Sequence, residues 1–337
     1  MTAALVIGAA ALSSAALGET RGQDAPPAAL NAVLTGNIAP VHDPAIIKAG
    51  DTYHLFTTGN LGDAEGLIGW RTSTDLKSWT LREPVFGAIP EWAKAEVPGT
   101  RGLWAPDIIR VGDEFRLYYS VSTFGKNRSA IGLATTPTLD RDAPGFGWTD
   151  QGKVWESSAS SDYNAIDPNI VIDRDGRHWM AFGSFWTGLK LIELDRATGK
   201  PLPDAALHSI ARRRSPGAVE APFIIDRGGY YYLFASYDFC CRGAKSSYYP
   251  VVGRSKAVTG PYVDRDGKAM MDGGGLLVLH ADLDDSKRFV GPGHNSILRE
   301  GDADWIVYHA YDKRENGRPT LRIQRLGWTP DGWPVAL

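Results

Sequence analysis

Cysteine is nearly absent from this chain: Cys240 and Cys241 are the only two, and they are adjacent. That excludes a disulfide framework, and two ligands are too few for a structural zinc site. The pair can be two thiols or a ring closed between neighbours; the residues alone leave both open. Charge of one sign is also lacking. A net charge of -3 and no basic stripe leave no footprint for nucleic acid. No stretch keeps a sustained helical period. The one apolar, small-residue run lies at residues 1–18 and is too short to span a membrane. It reads as a signal peptide, with an h-region from Ala4 to Ile7 and small residues at Ala15–Gly18, although no Lys or Arg precedes it. Export to the periplasm or the outside follows, with no membrane contact once the signal is removed. Residues 19–37 read as a linker. Residues 38–337 are left for one folded domain, expected to be a monomer.

What is abundant is punctuation and aromatic surface. The chain holds 38 Gly and 21 Pro, and these break it into short runs of strand character. One phrase recurs. Asp43-Pro44-Ala45-Ile46-Ile47 leads through a Gly-Asp turn to Tyr53-His54-Leu55-Phe56. Ala105-Pro106-Asp107-Ile108-Ile109, Asp167-Pro168-Asn169-Ile170-Val171 and Glu220-Ala221-Pro222-Phe223-Ile224 lead through similar turns to similar strands. His294-Asn295-Ser296-Ile297-Leu298 is a looser fifth copy. Radial repetition of β units implies an all-β, five-bladed β-propeller. The segment 86–101 reads as a long polar loop between the first two blades. Asp173–Gly176 and Asp264–Gly267 read as hairpin turns, since neither carries the Glu that a calcium loop needs at its twelfth position. Asn127-Arg128-Ser129 is a glycosylation triplet of little weight.

In a propeller the first strand of each blade lines the central channel, so equivalent positions of different blades face one place. Asp43 and Asp167 immediately precede the repeat's proline, Glu220 stands two before it, and His294 takes the Asp slot of the fifth copy. An acid beside Pro often only caps a turn. Three acids in near register, each followed by apolar residues, point instead to a shared pocket. Converging carboxylates suit glycoside hydrolysis, in which one protonated acid serves the leaving oxygen and one ionised acid activates water. Asp107 has the register but reads as structural. With 11 Trp and 13 Tyr, most rings are expected in the core and a few as flat platforms for sugars.

The runs Val41-His42-Asp43-Pro44, Trp104-Ala105-Pro106-Asp107, Ala165-Ile166-Asp167-Pro168, Phe182-Gly183-Ser184-Phe185 and Val219-Glu220-Ala221-Pro222 resemble glycoside hydrolase family 43, and within it the α-1,5-L-arabinanases. Cys240-Cys241-Arg242-Gly243 and Gly291-Pro292-Gly293-His294-Asn295-Ser296 extend the resemblance, which spans about residue 38 to the C-terminus. It implies an inverting enzyme on a five-bladed propeller, with arabinan or arabino-oligosaccharides as substrate. By position it implies that Asp43 is the general base, Glu220 the general acid, and Asp167 the group that orients Glu220 and raises its pKa. Trp104 and Phe124 would stack on arabinose units, with His42 and Ser184 in the pocket. His294 would contact a central metal, expected to be calcium. Inversion requires the base and acid to stand roughly 6.5–9.5 Å apart. Endo action is expected over exo action. A β-xylosidase or arabinofuranosidase of the same family is the next reading, and a non-catalytic sugar-binding propeller the last.

Overall fold

A computed structural model describes Met1, residues 30–284 and residues 286–337. The signal-peptide reading lies outside the described residues, as does most of the linker. Five sheets follow one another around a central axis. Their innermost strands are Ala45–Ala49, Gly102–Val111, Asn169–Ile172, Val219–Arg227 and Phe289–Glu300. The second strands, Thr52–Thr57, Glu114–Val121, His178–Phe182, Tyr230–Tyr237 and Ala303–Asp312, run antiparallel to them. The five-bladed propeller expected from the repeats is the observed fold.

The apolar pair in each repeat has a simple packing reason. Side chains along a strand alternate between the two faces of the sheet. Ile170 therefore packs with Tyr118 and Leu133 of blade two, while its neighbour Val171 packs with Ile224 and Leu233 of blade four. Ile225 in turn faces Ile297 and Ile306 of blade five. The described core thus falls into clusters that each lie between adjacent blades, and both faces of every blade are buried.

Residues 30–37 are packed against the propeller and do not form the linker read from the sequence. Thr35–Gly36 adds a parallel outer strand to blade one. Leu30 is buried with Leu298, Val307 and Leu321 of blade five. The Val41 amide donates to the Pro319 carbonyl (2.9 Å), and the Leu321 amide to Ile38 (2.9 Å). This segment fastens the first blade to the last, closing a ring whose blades would otherwise present an edge.

The 86–101 segment also differs from expectation, because Glu91–Glu96 forms an α-helix. Six residues are too few for a readable period. The helix is held because Ile89, Ala93 and Val97 bury in the core between blades one and two. The two Asp-Gly turns are hairpin turns as read: Asp173 Oδ1 accepts the Asp175 and Arg177 amides, and Asp264 Oδ1 accepts those of Asp266 and Lys268. Asn127 is buried, its Nδ2 donating to the Ser161 and Tyr163 carbonyls, so it offers no exposed amide to a glycan. No helix among the described residues is long and apolar enough to cross a membrane.

Candidate active site

Each innermost strand has one residue in the left-handed region, either within it or two residues before it. These are Asp43 (φ 52°), Ala105 (44°), Asp167 (58°), Ala221 (54°) and His294 (48°). Non-glycine residues rarely adopt this conformation, and holding one there costs roughly 1–3 kcal/mol. Register shifts follow between Trp104 and Asp107, between Glu220 and Phe223, and between Gly293 and Ser296. Such bulges re-aim side chains that a regular pleat would send to opposite faces. The residue at the left-handed slot and the one before it can then both serve the channel mouth. Asp43, Asp167 and His294 hold the slot itself, while His42, Trp104 and Glu220 stand one residue earlier.

The bulge leaves the amide of each left-handed residue without a ladder partner. A side chain from the preceding blade accepts it in every case. Thr58 Oγ1 takes Ala105 N–H (2.8 Å), Ser120 Oγ takes Asp167 (2.9 Å), Ser236 Oγ takes His294 (2.9 Å), and His309 Nδ1 takes Asp43 (3.1 Å). In blade three the equivalent position is Gly183, whose amide pairs with the Ile166 carbonyl. Having no side chain there, the blade uses the Asp167 carboxylate: Oδ2 accepts Ala221 N–H at 3.1 Å. Asp167 is thereby tied to the backbone one residue beyond Glu220. Asp107 does a different job. Its Oδ2 accepts the Ile170 amide (2.7 Å) and Asn169 Nδ2 (3.3 Å), joining blades two and three, in keeping with a structural role. Burial pushes its pKa up to about 7 despite those bonds.

The slots bring the predicted carboxylates together. Asp43 Oδ1 lies 2.9 Å from His42 Nδ1 and 3.0 Å from His294 Nδ1, and Oδ2 accepts from Thr58 Oγ1 at 2.5 Å. Burial works to raise its pKa, but His294 and His42 overcome that and hold it well below the usual carboxylate range. Asp167 is pushed well above that range, mainly by burial, with Glu220 and Asp43 adding and His294 opposing. Glu220 is also raised by burial, against a hydrogen bond from Ser184 Oγ (2.7 Å) and the nearby Tyr248 hydroxyl. That hydroxyl is buried near Glu220 without a hydrogen bond of ordinary geometry. Of the three, Asp43 is the one held toward the ionised form, while burial shifts Asp167 and Glu220 toward the protonated form.

His294 is the cation of the group. Burial lowers its pKa, but Asp43, then Asp167 and Glu220, lift it to about 9. A folded-state pKa raised above the unfolded value of 6.5 contributes stability that is complete below pH 6.5 and lost as pH climbs through 9. The expected loss is on the order of 3 kcal/mol. Calorimetric Tm values from pH 6 to pH 10 should show this decline, and His294→Gln should flatten it.

Among the described residues one group is spaced to hold a metal ion: His42, Asp43 and His309. His294, for which a metal contact was expected, is not part of that group. Its Nδ1 is engaged with Asp43. Two imidazoles and one carboxylate do not fit calcium, which takes six to eight oxygen ligands. No catalytic step is assigned to a metal here.

The remaining candidates separate into two kinds. His42 and Ser184 touch Asp43 and Glu220 directly. Trp104 is half-buried at the mouth and donates from Nε1 to Asn60 Oδ1 (3.1 Å). Phe124, 81% exposed, lies just past the end of the second strand of blade two. Sequence reasoning missed Thr58, Tyr248, His309 and Tyr311. Thr58, His309 and Tyr311 lie on second strands or just after one, and Tyr248 stands just before the third strand of blade four, where no repeat signature marks them. Only strand pairing, such as Gly293 opposite His309, carries them to the mouth.

A closed β ring with a buried acid pair and an ionised acid at one mouth defines a five-bladed propeller able to give a proton and take one at a single site. The chain belongs to glycosyl hydrolases family 43, whose sequence profile matches residues 30–334. It is 44% identical over 306 residues to an extracellular exo-α-(1→5)-L-arabinofuranosidase of Cellvibrio japonicus, covering 87% of this chain and 85% of that one. It is also 44% identical over 296 residues to an extracellular endo-α-(1→5)-L-arabinanase of Bacillus subtilis, covering 87% of each. The solved structure of a Cellvibrio cellulosa α-L-arabinanase complexed with arabinohexaose superposes with a TM-score of 0.83, at 42% identity, over 89% of this chain and 96% of that one.

Proposed function

We propose that this protein is an exported, inverting glycoside hydrolase that cleaves α-1,5-L-arabinofuranosidic bonds in arabinan, by endo action. The observation that supports this reading is the meeting at one channel mouth of Asp43, held toward the ionised form by two imidazoles, with Asp167 and Glu220, whose pKa values burial raises. Asp43 takes a proton from water as that water attacks C1 from the face opposite the leaving group. The C1–O bond breaks, and Glu220 gives its proton to the departing glycosidic oxygen. Asp167 holds the backbone beside Glu220 through the Ala221 amide. Trp104 and Phe124 offer faces to the flanking arabinose rings. The acting unit is a monomer.

The experiment is a time course on linear debranched arabinan, with products separated by length and the new reducing ends followed by proton NMR. The expected result is mixed oligomers from the first minutes, with the β-anomer appearing first. A single product size from the start would replace endo with exo action, as in the Cellvibrio relative. An α-anomer appearing first would overturn inversion.

A further inference from the structure

We propose that Tyr311 is a positioning residue for Asp43, acting through His42, and that the Cys240–Cys241 ring holds Tyr311 in its working orientation. The inference rests on the reading of Asp43 as the base. Cys240 and Cys241 are bonded to each other on the rim of the mouth, with Cys241 in the left-handed region (φ 65°). That conformation turns the Cys241 amide inward, where it donates to the Tyr311 hydroxyl at 2.7 Å. Cys241 Sγ lies 3.9 Å from His42 Nε2. The Tyr311 hydroxyl is 2.7 Å from the same nitrogen, and His42 Nδ1 is 2.9 Å from Asp43 Oδ1.

The direction of these bonds follows from chemistry. The Cys241 amide can only donate, so it occupies a lone pair of the Tyr311 oxygen and leaves the O–H free. Asp43 is ionised and can only accept, so His42 Nδ1 must carry a hydrogen. In a neutral imidazole Nε2 is then an acceptor, and the Tyr311 O–H supplies its proton. Without that donor the ring is free to take the opposite tautomer, which sets a nitrogen lone pair against the Asp43 carboxylate. The Tyr311 ring is itself fixed. It packs against Gly291, where an added Cβ would approach its Cδ2 to 3.0 Å.

Tyr311→Phe keeps the ring and removes the donor, so it tests the relay without opening a cavity. On linear arabinan, kcat should fall roughly ten- to a hundred-fold, with KM within about twofold. Sodium azide should restore turnover. Azide forms the C1–N bond without giving up a proton, the C1–O bond breaks, and Glu220 still protonates the leaving oxygen. A β-arabinofuranosyl azide product marks this route. Wild-type kcat in Tyr311→Phe, or a loss that azide does not restore, would overturn the relay. Asp43→Ala, assayed in parallel, tests the parent reading by itself: undiminished turnover there removes Asp43 as base whatever Tyr311 does. For the ring, wild-type protein is reduced with a phosphine and alkylated, with the thiols counted by mass. A fall in kcat that is absent when Tyr311→Phe is reduced places the ring upstream of Tyr311. No fall in the wild type removes the ring from the inference.

Discussion

Glu220→Gln should turn over linear arabinan roughly 10²- to 10⁴-fold more slowly than the wild type, the range that a positioned general acid contributes. The substitution is isosteric, and the glutamine carbonyl can still accept the Ser184 hydroxyl that Glu220 accepts at 2.7 Å. The fold and the pocket shape should survive, with a Tm close to that of the wild type. What disappears is the transferable proton. An arabinofuranoside with a dinitrophenyl leaving group needs no such proton, so on that substrate the deficit should shrink to about tenfold or less. Equal deficits on both substrates would mean that Glu220 shapes the site without acting as its acid. No deficit on arabinan would end the assignment.

Asp43→Asn should lower kcat by a similar factor on both substrates, because water must be deprotonated whichever group leaves. It should also weaken the fold. Asp43 is the closest counter-ion of His294 and the acceptor for Thr58 and His42. Removing one partner of a buried ion pair costs about 3–5 kcal/mol, and an amide that keeps some acceptor capacity should fall toward the low end. Urea melts at pH 6 should therefore show a loss that narrows toward pH 9, where His294 gives up its charge. A variant that is fully stable and still active would show that Asp43 is neither base nor counter-ion. The two variants separate the roles: Glu220→Gln depends on the leaving group, and Asp43→Asn does not.

Much of the architecture was legible because it repeats. The prolines after Asp43, Ala105, Asp167 and Ala221 mark equivalent strand starts, and the apolar pairs behind them reflect burial on both faces of a blade. Asp43, Asp167 and Glu220 could be picked out because the acids recur in that register. The helix at Glu91–Glu96 could not, since six residues carry no period and its place is set by a gap between two blades. Residues 30–37 misled for a related reason. The polar and proline residues just before them, Gln23, Asp24, Pro26 and Pro27, look like a linker, and the partners of residues 30–37 on blade five lie at the far end of the chain.

The sequence by itself determined the fold class and the family and singled out the three acids as candidates, because each is written in local, repeated words. Only the tertiary structure decided how those acids are ionised. That depends on the His294 and His42 imidazoles against Asp43, on the Gly183 position that makes Asp167 take the Ala221 amide, and on the Cys241–Tyr311–His42 contacts. Each of these partners comes from another blade or another strand, and ionisation in a buried site answers to distance through space, which the order of residues along the chain does not record.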